Sequence, residues 1–176
     1  YYYAANELLE YYRTRVDVNN PNVNLINPTI SEKDQRIADQ ALEHRFYVKG
    51  FAESVDEVTK LETYYSFYDA SAKKIDWNAN EDKQKKEQEF RYQLHRHQWM
   101  LPQAKAYRIS KDEKYIQSWI EAYGSWIETF PYTPGTIFPP AGGSENDVDY
   151  QWKGLQVAER VLSQVDIMPY FIHSTN

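Results

Sequence analysis

Apolar residues recur three and four positions apart along most of this chain, a spacing that predicts helices. In the opening YYYAANELLEYYRTRV the pattern falls on Leu8, Leu9, Tyr12 and Val16, and the turn-rich VNNPNVNLINP ends it. In SEKDQRIADQALEHRFYV the helical step runs through Ile37, Ala38, Ala41, Leu42 and Phe46, with Ser31 placed to cap the first turn and Asp34 three residues on. VDEVTKLETYYSFY, residues 55–68, predicts a further helix, and KKIDWNANEDK after it reads as a loop. Lys83, Lys85 and Lys86 then fall on the solvated first turn of the next helix.

Two later helices have the clearest pattern. Ser110 and Glu113 form an S-x-x-E capping box ahead of a stripe of Tyr115, Ile116, Trp119, Ile120, Tyr123, Trp126, Ile127 and Phe130, which PYTPG stops. After the loop TIFPPAGGSEN a last helix is expected from near Ser144, with Asp147 as capping partner. It aligns Val148, Trp152, Leu155 and Leu162 on one side and fades near Met168 and Pro169. Alternation of period two never persists and no Asn-Gly or Asp-Gly hairpin turn occurs. The expected fold class is all-α, with five or six helices paired as stacked antiparallel hairpins.

Residues 89–107, EFRYQLHRHQWMLPQAKAY, depart from a simple core helix. At about 100° per residue, Phe90, Leu94, His97, Leu101 and Ala104 form a core stripe, and opposite it lie Tyr92, Arg96, Trp99, Gln103 and Ala106. Rings among amide and guanidinium groups suit either an inner helix packed on two sides or a groove in which aromatic faces stack on sugars and Arg grips acidic groups. Pro102 removes a backbone donor, so it marks either a kink or the junction of two shorter helices. In the last helix Glu159 falls in line with the apolar positions. Burial would require a cation such as Arg96 or Arg160, or a raised carboxyl pKa suited to a general acid.

Composition narrows the function classes. The 176 residues fit one domain, and 41% hydrophobic with 26% charged content is ordinary for a chain with a real core. Twenty basic against twenty-six acidic side chains leave a net charge of −6, which argues against nucleic acid or an anionic membrane as partner. Aromatic content of 16% is high, and a polyanionic ligand would need a local basic patch. No cysteine is present, so thiolate catalysis and zinc–thiolate sites are excluded. His95 and His97 lie about 200° apart on a helix and cannot share an ion, and H-E-x-x-H, G-x-S-x-G, G-x-G-x-x-G and P-loop patterns are absent, so neither metal nor cofactor is expected. There is no apolar run of membrane-spanning length and no signal-peptide pattern, and the first residue is Tyr1, as expected of a chain trimmed upstream.

The segments FRYQLHRHQWMLPQAKAY, KDEKYIQSWIEAYGSWIETFP and WKGLQVAERV, together with DWNANED, resemble in order the N-terminal domain of the heparinase II/III-like polysaccharide lyases, heparinase III-like members above all. Relatives often carry Glu in the triplet where this chain has Gln156. The resemblance implies that residues 1–176 are the opening segment of an incomplete α/α toroid. The rest of the toroid and a β-sandwich would follow in a periplasmic or secreted enzyme that cleaves heparan sulfate-like acidic polysaccharide by β-elimination. That chemistry asks for neutralisation of a uronate carboxylate, removal of a proton and protonation of the leaving oxygen. The family's catalytic Asn, Tyr and His are expected beyond residue 176, so no catalytic residue is assigned and this segment alone is expected to be inactive. Arg91, Gln93, His95 and Arg96 match the family motif, and Trp152 and Arg160 match its W-x-x-L and later Arg. The substrate-binding expectation therefore covers Arg91, Gln93, His95, Arg96, Trp99, Trp152 and Arg160. Arg96 and Arg160 would meet the polyanion, Trp99 would stack, and Gln93 or His95 would read hydroxyl or sulfate. The alternatives are a non-catalytic helical solenoid that binds protein or glycan, and a toroidal glycoside hydrolase with Glu159 in a carboxylate pair.

Overall fold

Ser31 caps as its position predicts: its hydroxyl accepts the Asp34 amide at 3.0 Å and starts α2, Glu32–Leu42, which buries Ile37, Ala38 and Ala41. The computed structural model describes residues 2–15, 23–50, 54–132 and 150–175. Preceding α2 is α1, Tyr2–Arg15, a mostly exposed helix tied to the far end of the chain by Arg13, whose Nε donates to the Ile172 carbonyl at 2.9 Å. The remaining helices are α3, Glu81–Lys86; α4, Gln88–His95; α5, Leu101–Ser110; α6, Lys114–Thr129; and α7, Gly154–Phe171. α5 lies at the centre, against α2, α6 and α7, and the architecture is all-α, with helices stacked as in part of an α/α toroid.

Four corrections to the sequence reading concern the elements outside residues 89–107. The first is that α2 stops at Leu42, where His44 turns left-handed with φ 54°, so Phe46 belongs to strand β1, Arg45–Tyr47. The second is that residues 55–68 are not helical. Asp56 accepts the amides of Val58 and Thr59, a local turn that competes with a helix, and the aromatic run after it favours an extended chain. That run forms β2, Tyr64–Ser66, which pairs antiparallel with β1 through Phe46 opposite Tyr65. β3, Tyr68–Asp69, pairs with β4, Lys74–Ile75, inside the expected loop. Arg36 fixes this region by a two-pronged bond to Glu62, both N–H···O distances 3.0 Å, and the Tyr64 hydroxyl donates to the same carboxylate at 3.1 Å.

The third correction concerns the capping box. Ser110 ends α5 and donates to the Ala106 carbonyl, whereas Asp112 accepts the Lys114 amide at 3.1 Å and Glu113 accepts the Ser174 hydroxyl at 2.7 Å. The fourth is in α7, whose buried positions are Gln156, Arg160, Ser163, Ile167, Tyr170 and Phe171. Leu155 and Leu162, expected inside, are 60% and 61% exposed, because the described elements pack against the other face of the helix. Val16, Ser144, Asp147, Val148 and the loop TIFPPAGGSEN lie outside the described residues.

Among the described residues many of the aromatic side chains pack in the core. Phe46 sits at the middle of a ring cluster, 4.1 Å from Trp99 and 5.5 Å from both Phe67 and Trp77 between centroids. Around Trp126 a second cluster gathers His97, Phe130 and Trp152.

Candidate functional site

The segment 89–107 is two helices. α4 ends at His95, His97 takes a left-handed conformation at φ 61°, a single 3-10 turn covers Gln98–Met100, and α5 begins with Pro102 in its first turn. Proline is at home there, because the amide it lacks would have no helical partner. The junction reading of Pro102 is therefore the one realised. The break also rotates the second half of the segment, so Trp99, Gln103 and Ala106 leave the face of Tyr92 and Arg96 and become buried.

Trp99 is 3% exposed, stacks on Phe46 and donates its indole N–H to the Leu94 carbonyl at 3.0 Å. Its ring is committed to the core, which removes it as a sugar-stacking platform in this chain. His95 is likewise fully buried. Its Nδ1 accepts the Trp126 indole N–H at 2.8 Å, and burial first, then the positive charges of Arg160 and Arg91, push its pKa down to about 3. With no accessible ring atom it supports the site and does not read hydroxyl or sulfate. The neighbouring His97, also fully buried, is lowered for the same leading reason.

Four of the remaining expected residues meet or lie close together where α4 faces the start of α7. Arg96 donates from Nε to Gln156 Oε1 at 2.7 Å and from Nη1 to Glu89 Oε1 at 3.3 Å, and Gln93 donates to that same Glu89 oxygen at 2.6 Å. Beside them Lys153 donates to the Tyr92 hydroxyl at 3.2 Å and lies 5.5 Å from the Tyr92 ring centroid. Arg160 lies beneath, 5% exposed. Its Nη1 donates to the His95 carbonyl at 2.9 Å, and its guanidinium sits 4.3 Å from the Trp126 ring centroid and 5.1 Å from that of Trp152. Burial lowers its pKa to about 10, its Nη2 is buried without a hydrogen-bond partner among the described residues, and two aromatic faces share its charge. Trp152 is half-buried and packs on Trp126 and Tyr132. Arg91 is also half-buried and acts on His95 through its charge.

Lys153 was missed by sequence reasoning, and Gln156 was noted there only as a departure. The available signal was the spacing of Lys153, Gln156 and Arg160, three and four residues apart, with Lys153 at the N-cap of α7 and the other two on its buried face. Gly50 supports the same face. Its φ is +86° and a Cβ there would come within 3.1 Å of Gln93 Nε2. Gly50→Ala is expected to cost about 1 kcal/mol and to displace Gln93, measured as a lower denaturation midpoint.

Glu159 is half-buried and accepts the Gln98 amide at 3.2 Å, so neither Arg96 nor Arg160 is its partner. It borders a separate cavity of about 510 Å³ that also touches Lys33, Tyr47, Trp99, Lys105 and Asp166. Among the described residues no group of three or more His, Asp or Glu side chains is placed to hold a metal ion, and no helix is long and apolar enough to cross a membrane.

Comparison with known proteins agrees with this architecture. Residues 1–176 match the family described as Heparinase II/III N-terminus. The chain is 48% identical over 177 residues to a heparin-sulfate lyase of Bacteroides thetaiotaomicron, covering 100% of this chain and 23% of that protein. It is 34% identical over 179 residues to one of Bacteroides stercoris, covering 97% and 24%. A crystal structure of heparinase III superposes with a TM-score of 0.74 at 47% identity, covering 99% of this chain and 24% of that one. A heparan sulfate lyase from Pedobacter heparinus gives 0.69 at 28% identity, covering 98% and 24%. The chain thus spans about a quarter of the length of the relatives it matches. With its stacked helices and a match running from end to end, the chain belongs to the heparinase II/III family and forms its N-terminal domain.

Proposed function

We propose that this chain is the N-terminal α/α-toroid segment of a periplasmic or secreted lyase acting on a heparan sulfate-like glycosaminoglycan, and that its α4–α7 face is one wall of the substrate groove. The observation that carries the reading is charge placement. In a chain of net charge −6, Arg96, Lys153 and Arg160 gather at one helix junction, where Glu89 is the carboxylate that pairs with Arg96 among the described residues. Tyr92 and Gln93 interleave them with groups able to bond hydroxyl and sulfate oxygens. The relatives are heparin-sulfate lyases by name, which supports the substrate class. The β-elimination itself is assigned to residues outside this chain.

The exposed stripe of α7, Leu155, Val161, Leu162, Val165 and Met168, supports a further element of the proposal: the remainder of the same enzyme packs there. An aliphatic row at helical spacing is the surface a neighbouring toroid helix would cover.

Calorimetric titration of the purified chain with a heparan sulfate oligosaccharide tests the reading. The expected result is binding at low ionic strength that weakens steeply with salt, with no rise in ultraviolet absorbance from an unsaturated uronate. Undetectable binding at low salt, or product formed by the chain itself, overturns it.

A further inference from the structure

The contact between Arg96 and Gln156 joins α4 to α7 at 2.7 Å in a nearly dry setting: Gln156 is 2% exposed and the Arg96 side chain 13%. An amide and a carboxylate would fit this position almost equally well, and either would aim the guanidinium. They differ in the charge that is left. A carboxylate at this distance and burial would neutralise the arginine in a strong ion pair, whereas an amide oxygen fixes the orientation and leaves the positive charge in place. Glu89 does not fill that role well. It lies 3.3 Å from Nη1, is 47% exposed, and is shared with the Gln93 amide, so solvent screens it. Nη2 of Arg96 has no partner among the described residues.

We infer that Gln156 is a positioning residue for Arg96, a neutral clamp that orients the guanidinium and keeps its charge for an anionic group of the bound glycan. This rests on reading the α4–α7 face as glycan-binding. Neutrality at 156 is then a selectivity device, setting how much positive charge the wall offers to sulfate or uronate. A mere packing role would need only the shape of the side chain.

Titration of the full chain with a heparan sulfate oligosaccharide of defined length, across a series of salt concentrations, tests this in the parent, Gln156→Glu, Gln156→Met and Arg96→Gln, with circular dichroism to check folding. Gln156→Glu is expected to weaken binding about tenfold and to lower the slope of log affinity on log salt by roughly one, one counterion released for each cation that engages a polyanion. Gln156→Met, which loses the clamp and keeps the charge, is expected to weaken binding less and to hold the parent slope. Arg96→Gln is expected to lose the same slope increment, and adding Gln156→Glu to it should change nothing more. If Gln156→Glu retains the parent affinity and slope, or if Gln156→Met loses slope as Gln156→Glu does, the inference is overturned while the glycan-binding reading stands. Should Gln156→Glu fail to fold, an Arg96→Gln variant with the parent slope overturns it equally. A parent chain that binds no oligosaccharide at low salt removes the glycan-binding reading itself.

Discussion

Replacing Trp126 with alanine is expected to lower the thermal unfolding midpoint by about 10 °C, the largest effect of any single substitution considered. Trp126 is 1% exposed and joins the two halves of the candidate site. Its indole N–H donates to His95 Nδ1 at 2.8 Å, His97 packs edge-on at 4.9 Å, Trp152 lies 5.6 Å away and the Arg160 guanidinium lies 4.3 Å from its ring centroid. Deleting a buried tryptophan costs about 3–5 kcal/mol in lost transfer energy and residual cavity. For a chain of this length each kcal/mol moves the midpoint by roughly 2–4 °C. The alanine variant also strips Arg160, already buried without a carboxylate among the described residues, of one of the two rings that share its charge. Trp126→Phe keeps most of the ring and removes the donor, so its cost of about 1–3 kcal/mol isolates the bond to His95. A thermal scan in which the alanine variant melts within two or so degrees of the parent would contradict the assignment of Trp126 as the hub of this packing.

Acid is expected to unfold the protein well above the pH at which its carboxylates titrate. His95 ionises near pH 3 in the folded chain, held down first by burial and then by Arg160 and Arg91, and His97 is held well below its ordinary value too. In the unfolded chain both would ionise near pH 6.5, as free histidines do at about that value. Between those limits the unfolded state binds protons that the folded state refuses. The stabilisation is therefore complete above about pH 6.5 and is lost as pH falls through the unfolded value toward the folded one, each histidine contributing about 1.4 kcal/mol per pH unit at full slope. Asp56, Asp69 and Asp112, held down by hydrogen bonds from Thr59, Ser71 and Lys114, act in the same direction only lower on the scale. Urea titrations between pH 6.5 and 5 thus isolate the histidines. His97→Asn, which suits the left-handed backbone at that position, is expected to remove one proton from the slope. A parent whose stability is flat across this interval would show that the two rings gain water or a counter-charge on folding.

The helical framework was largely legible in the chain. The Ser31 cap, the stripe of α6 apart from the exposed Ile120 and Ile127, and the segments that resemble heparinase II/III lyases all rest on local spacing, and local spacing is what a sequence displays. The face of α7 was misjudged for a physical reason. Periodicity ranks faces by hydrophobicity, and Leu155 with Leu162 outranks Gln156 with Arg160, yet the described neighbours on α4 and α5 bury the polar row. Trp99 was misjudged because one left-handed residue, His97, reset the phase of everything after it. Residues 55–68 kept a helical pattern of apolar positions, but the Asp56 turn and the pairing of β2 with β1 offered the backbone better hydrogen bonds.

The candidate site divides in the same way. Arg91, Gln93, His95, Arg96, Trp152 and Arg160 could be singled out as candidates by motif, and the family to which the chain belongs was identifiable. Their division of labour was not, since it depends on contacts across about sixty positions of chain, such as Arg96 to Gln156 and Arg160 to the His95 carbonyl. By itself the sequence determined that the chain is helical, acidic overall, free of cysteine chemistry and built on a lyase-family pattern. Only the tertiary structure decided which rings became core, which arginine went beneath the surface and which stayed near it. Burial and hydrogen-bond partners belong to pairs of distant residues, and no single stretch of chain carries them.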